Sequence, residues 1–90
     1  GAALLGAAYE EEGRLDDAEA TYLRIADRSE LDFQVRNALS NAARIRVSQG
    51  DGEGAIQLYQ RALDTFEANE PARGIYELRI QELMAAGVSQ

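Results

Sequence analysis

Apolar residues recur along this chain at intervals of three and four; nowhere do they alternate strictly or gather in β-branched runs. That pattern predicts amphipathic helices and no strands. Within and just beyond 13–27 and 50–64 the stripes are Leu15, Ala18, Tyr22 and Ile25, then Ala55, Leu58, Tyr59, Ala62, Leu63 and Phe66. Each covers one side of a helix and needs a partner surface. Five helices are expected, at about 2–12, 16–28, 32–49, 53–68 and 71–86. Asp16 and Asp17 fall in a first turn, where carboxylates complement the positive helix end. Asp32 and Asp51 are expected N-caps. Pro71 suits the first position of the fifth helix, after the loop ANEP.

The two stripes belong to a repeat. GRLDDAEATYLRIAD at 13–27 returns as GDGEGAIQLYQRALD at 50–64, with Gly13, Ala18, Tyr22, Arg24 and Asp27 matching Gly50, Ala55, Tyr59, Arg61 and Asp64, a period of 37 residues. Gly87 continues the glycine series, and each glycine is expected to end a helix in the left-handed region. A short helical unit cannot bury its apolar face alone, and stacking a second copy on it does so. Ala18 and Ala55 are small where helices must approach closely, and the tyrosines fill the space one turn on. All of these read as core.

The stretch LLGAAYEEEGRLDDAEATY resembles the tetratricopeptide repeat, a helix–turn–helix unit. Its Leu-Gly pair falls on Leu5 and Gly6, its Tyr on Tyr9, its turn Gly on Gly13, its packing Ala on Ala18 and its aromatic on Tyr22. In the second unit Gly50, Ala55, Tyr59 and Ala62 match. Leu39 replaces the usual Trp, Ala42-Ala43 the Leu-Gly pair, and Arg46 the Tyr. Glu30 and Glu67 stand where the family closes with Pro, and the period exceeds the family's 34 residues. The resemblance implies an all-α fold, a right-handed α–α superhelix of helix–turn–helix repeats. On this reading 1–31 is the first repeat, 32–70 the second, and 71–90 a capping helix or the start of a third.

The resemblance also implies that the first helix of each unit lines a concave face. At about 100° per residue, Leu39, Ala42, Ala43 and Arg46 share one side of the central helix, and Asn37, Ser40, Asn41, Arg44 and Ser48 the other. Carrying the repeat register outward gives the columns Leu4–Asn41–Leu78, Ala7–Arg44–Gln81 and Ala3–Ser40–Glu77. The candidate groove is therefore Asn37, Ser40, Asn41, Arg44, Glu77, Leu78, Gln81, Leu4 and Ala7. Asn37 and Asn41 can satisfy backbone amides of a bound segment, and Arg44 can take a carboxylate in a two-bond fork. One subtype of the family clamps a peptide's C-terminal carboxylates with Lys, Asn and Arg. Asn41 matches its central Asn, but Ala3, Ala7, Gly74 and Leu78 flank it, so that reading is rejected. Arg46 points toward the expected interior, its stem packed and its head reaching water or an acid. Arg79, in register with Ala42, is read in the same structural way.

Charge narrows the partners. Sixteen acids against nine bases, all arginine, give a net charge of −7. Such a chain repels phosphate backbones, so nucleic acid and anionic membrane are poor partners and no nucleic acid is expected. No apolar run approaches a membrane span. The chain holds no Lys, His or Cys, so Ser29, Ser40, Ser48 and Ser89 lack an activating base and no thiolate chemistry arises. GDGEG at 50–54 is a turn between helices rather than a phosphate loop. The acidic cluster Glu10, Glu11, Glu12, Asp16, Asp17 and Glu19 lacks the ligand spacing of a calcium loop and reads as a solvated rim. No catalytic residue, metal or cofactor is implied. The expected function is a non-catalytic scaffold binding a protein or peptide segment in the groove. The alternative is a self-assembly module, a homo-oligomer built through the stack ends at Leu4, Leu5 and Tyr9 and at Tyr76, Ile80, Leu83 and Met84. The chain lacks a starting Met, and Gly1 followed directly by AALLGAAY reads as a cut edge within a longer protein. The cellular compartment stays open.

Overall fold

In the computed structural model, which describes residues 1–88, five α-helices follow one another: α1 (Ala2–Glu11), α2 (Leu15–Arg28), α3 (Asp32–Ser48), α4 (Gly52–Leu63) and α5 (Arg73–Val88). Ser89 and Gln90, the last residues of the third expected segment, lie outside the described residues. No described residue is in a strand. Each helix packs on the next, so that α1/α2 and α3/α4 form hairpins and α5 lies against α4.

The hairpin turns are made where the glycine spacing places them. Gly13 and Gly50 take φ of 77° and 80°. Arg14 N–H reaches the Tyr9 carbonyl at 2.8 Å and Gly13 N–H that of Glu10; Asp51 and Gly50 repeat both bonds to Arg46 and Val47. These paired bonds close the last helical carbonyls with the chain in a left-handed turn that a side chain would strain. The carboxylate of Asp51 then caps α4 by accepting the Gly54 N–H at 2.9 Å. Asp32 does not cap: it is the first residue of α3, and Leu31, extended, occupies the N-cap position without a side-chain bond.

The core is a seam of small residues. Ala18, Ala42, Ala43, Ala55 and Ala62 are fully buried, and Leu39 and Ile45 are the largest side chains fully enclosed. Ala18, Tyr22, Ala42 and Ile45 join α2 to α3; Ala26, Ala38, Leu39 and Ala62 join α2, α3 and α4; Ala43, Ala55, Tyr59 and Ile80 join α3, α4 and α5. Alanine at the crossings lets backbones approach, so a thin two-layer stack reaches packed density.

Two expectations about the last third change. Helix α4 ends at Leu63 rather than near 68. The Thr65 hydroxyl donates to the Ala62 carbonyl at 2.7 Å, and the Arg73 guanidinium to that of Leu63 at 3.2 Å, so these acceptors need no further helical turn. Phe66 instead turns in against Tyr76, 5.5 Å between ring centres, with Arg36 stacked over it at 4.1 Å. The inward residues of α5 are Tyr76, Ile80 and Leu83, one period on from Leu39, Ala43 and Arg46. Gly87 lies inside α5, without a positive φ, and does not end it. Ile80, placed by the sequence at an open end of the stack, is buried, and Tyr76 and Leu83 are partly buried beside it. Met84 stays exposed.

Candidate functional site

Between α3 and α5, with α4 as its floor, runs a groove of about 560 Å³. Ser40, Asn41, Arg44 and Val47 line it from α3, Tyr59 from α4, and Ile75, Tyr76, Arg79, Glu82 and Leu83 from α5. Ser40 also donates its hydroxyl to Tyr76 at 3.2 Å, pinning the two walls together. Three expected site residues, Ser40, Asn41 and Arg44, therefore share this groove. Asn37 stands with Asn41 in a smaller hollow of about 360 Å³ between the start of α1 and α3. Glu77, Leu78 and Gln81 are exposed on α5 and line neither hollow; the side of α5 that walls the groove carries Ile75, Arg79 and Glu82 instead. Leu4 and Ala7 are likewise exposed outside both. Arg79 therefore faces the groove and pairs with Glu82 at 3.2 Å, not the interior. Val47, Tyr59 and Ile75 were missed, because the columns carried one side of α3 onto α5, whereas a groove between two helices is walled by the sides turned toward each other.

Arg44 is not a free cation. Its guanidinium grips Glu10 of α1 with two bonds, 2.6 Å to Oε1 and 3.0 Å to Oε2, and gives a third to the Asn41 side-chain oxygen at 3.0 Å. Tyr22 of α2 donates its hydroxyl to Glu10 Oε2 at 2.8 Å. One carboxylate thus ties three helices across the first hairpin, and Glu10 leaves the acidic rim. Glu19 leaves it too: nearly buried, it takes Arg46 at 2.7 Å, while the other arm of Arg46 holds Asp51 at 2.9 Å. Arg46 so has the structural role expected, stem packed and head on acids. Among the described residues no three acidic side chains gather as a metal site, and no helix is long and apolar enough to cross a membrane.

The network sets its own charge states. The Arg44 hydrogen bonds hold the Glu10 carboxyl below its ordinary 4.5, aided by Tyr22 against a partial burial penalty. Burial and the anionic partner push the Tyr22 phenol up to about 12, so it remains a donor. A lowered carboxyl pKa contributes stability that is present above the unfolded value and is lost as pH falls through the folded one. Thermal melts of the wild type should therefore lose stability below about pH 4.5. Glu10→Gln should be less stable than wild type at pH 7, and the gap should close toward pH 3, as followed by helical ellipticity.

Neither the curated proteins nor the solved structures yield a significant match to this chain. The family model described as tetratricopeptide repeat matches it twice, at residues 2–33 and 38–69, which is more than half of its length. With stacked antiparallel hairpins, glycine turns at Gly13 and Gly50, and alanine at the crossings, the chain belongs to the tetratricopeptide repeat family.

Proposed function

We propose that this chain is a non-catalytic scaffold that holds a peptide or protein segment in the groove between α3 and α5. Tetratricopeptide repeats mediate protein–protein interaction, and the observation that carries the reading here is the groove itself. Its volume falls in the range of built binding sites, and it mixes apolar walls with a few charged groups. Asn41 and Arg44 form one edge, and Ile75 and Arg79 the other. Asn37, Glu77, Leu78, Gln81, Leu4 and Ala7 would serve as outer contacts for a longer segment. Residues 1–31 and 32–70 act as two repeats, with α5 extending the binding wall.

Peptides selected from a random display library on the whole 90-residue chain provide the test. The double substitution Asn41→Ala with Arg44→Ala should lower their affinity about tenfold, the effect of losing one good anchor. Affinity is measured at a temperature where helical ellipticity still matches wild type, because the change also removes the Arg44–Glu10 tie and lowers stability. Full affinity in the double variant would place binding elsewhere. A second reading, self-association, draws on the exposed Leu4 and Leu5 at one end and Leu78 and Met84 at the other. It is distinguished by a sedimentation coefficient that rises with concentration.

A further inference from the structure

The two hairpins treat the same tyrosine differently. In the first, the Tyr22 hydroxyl donates to Glu10, and Arg44, reaching over from the next helix, grips the same carboxylate. One period on, Tyr59 stands for Tyr22, and Val47 stands for Glu10. Tyr59 is only 9% exposed, yet among the described residues no group hydrogen-bonds its hydroxyl. The oxygen is not sealed off, since no buried polar side-chain atom is left without a partner; it opens to the groove that Tyr59 lines.

The cation is not repeated in place, since Gln81 stands one period on from Arg44, but Arg79 of α5 lines the same groove as Tyr59. Burial pushes the Tyr59 phenol up and keeps it a donor, the charges of Arg79 and Arg44 working against this and those of Tyr76 and Glu82 with it. Arg79 is held only by Glu82 one turn away, with both side chains more than half exposed, 57% and 55%. Such a pair is weak and readily exchanged. Val47, Ile75, Tyr76 and Leu83 supply apolar walls. The groove thus has the hydroxyl, a guanidinium and the enclosure. Its own acid, Glu82, bonds Arg79 and not Tyr59, so what it lacks is a carboxylate on the hydroxyl.

We infer that the partner supplies it: the groove takes an acidic–apolar peptide segment whose side-chain carboxylate accepts the Tyr59 hydroxyl and pairs with Arg79, as Glu10 accepts Tyr22 and pairs with Arg44. This rests on the groove reading above. The internal precedent is a side chain within a continuing segment, so a glutamate or aspartate is the source rather than a chain terminus. The net charge of −7 opposes an acidic segment only from a distance. At physiological salt it is screened beyond about 8 Å, leaving the local charges to decide. Arg44 is already neutralised by Glu10, while Arg79 can exchange its exposed partner Glu82 for the peptide's acid.

The library-selected peptides test this, synthesised with amidated C termini. Their sequences should share one acidic residue at a fixed spacing from an apolar one, and exchanging that acid for its amide should lower affinity about tenfold. Arg79→Gln, at an exposed position, should remove most of the difference between acid and amide peptides. Val47→Glu should supply the carboxylate from within, block the acidic peptides, and raise the Tyr59 phenol pKa in a spectroscopic titration. Selected peptides that lack acids, or that bind equally well as amides, overturn the proposal while leaving the groove in place. Binding that depends on a free C-terminal carboxylate overturns the side-chain source. A library that yields no binder counts against the groove itself, and this proposal falls with it. The peptide comparison needs no protein variant to fold.

Discussion

Leu39→Ala should destabilise the fold by about 3 kcal/mol, within the roughly 2–5 kcal/mol that large-to-small core changes cost. Leu39 is 1% exposed and sits where α2, α3 and α4 meet, among Ala26, Ala38 and Ala62. Those neighbours explain the size of the effect. Alanines have no side chain to swing into a vacated space, and the helices carrying them are already in close contact. The cavity would therefore stay open, adding its own penalty to the lost transfer energy. A domain of this size holds on the order of 5–15 kcal/mol in all, so the loss is a large share. At about 4–8 °C of Tm per kcal/mol, the midpoint should fall by on the order of 10–20 °C. Leu78→Ala, at a position 53% exposed, is the control and should change stability by less than about 0.5 kcal/mol. Equal urea midpoints for Leu39→Ala and wild type would mean that the three-helix junction is not packed in this way.

Leu39 also marks how far the sequence reading carries. Its burial follows from helical spacing alone, as does that of Ala18, Tyr22, Ala42, Ala43 and Ala55. The glycine turns were equally legible, because a left-handed residue between two amphipathic stretches leaves glycine as the low-strain choice. The groove wall on α5 was not. Carrying Ser40, Asn41 and Arg44 one period on gives Glu77, Leu78 and Gln81, whereas the wall facing α3 is built from Ile75, Arg79 and Glu82. Arg79, in register with the buried Ala42, stands at the groove rather than in the interior. The Arg44 site was legible in kind and not in partner. The sequence offers Arg44 as a fork for a carboxylate of a bound segment. In the structure the fork holds Glu10, and nothing in the spacing said that a residue of an apparently solvated acidic run would fill it. Side chains that meet across 34 positions leave no trace in local periodicity.

Gly6→Val should cost a further amount of similar size, and for a reason tied to that same network. A Cβ on Gly6 would stand 2.7 Å from Cζ and 2.8 Å from Cε1 of Tyr22. The ring cannot retreat, being 3% exposed against Ala18, Ala42 and Ile45, and its hydroxyl is held by Glu10 on the same helix as Gly6. Either α1 lifts from α2 or the ring turns out and breaks its bond. Overpacking costs about 1–3 kcal/mol and the lost hydrogen bond about 1 kcal/mol. Removing glycine's backbone freedom returns well under 1 kcal/mol once valine's stiff side chain is counted. The net loss should be about 3 kcal/mol by thermal and urea unfolding. The second hairpin shows the contrast: Ala43 takes the place of Gly6 and packs with Tyr59, whose hydroxyl is not tied to a carboxylate. In a Tyr22→Leu background the cost of Gly6→Val should therefore shrink by more than about 1 kcal/mol, because the clash and the tether leave together. Additive costs would show that α1 does not dock through this contact. A clear coupling would tie the docking of α1 to the carboxylate that holds Arg44, and so tie the first repeat's packing to the charge presented along the groove wall.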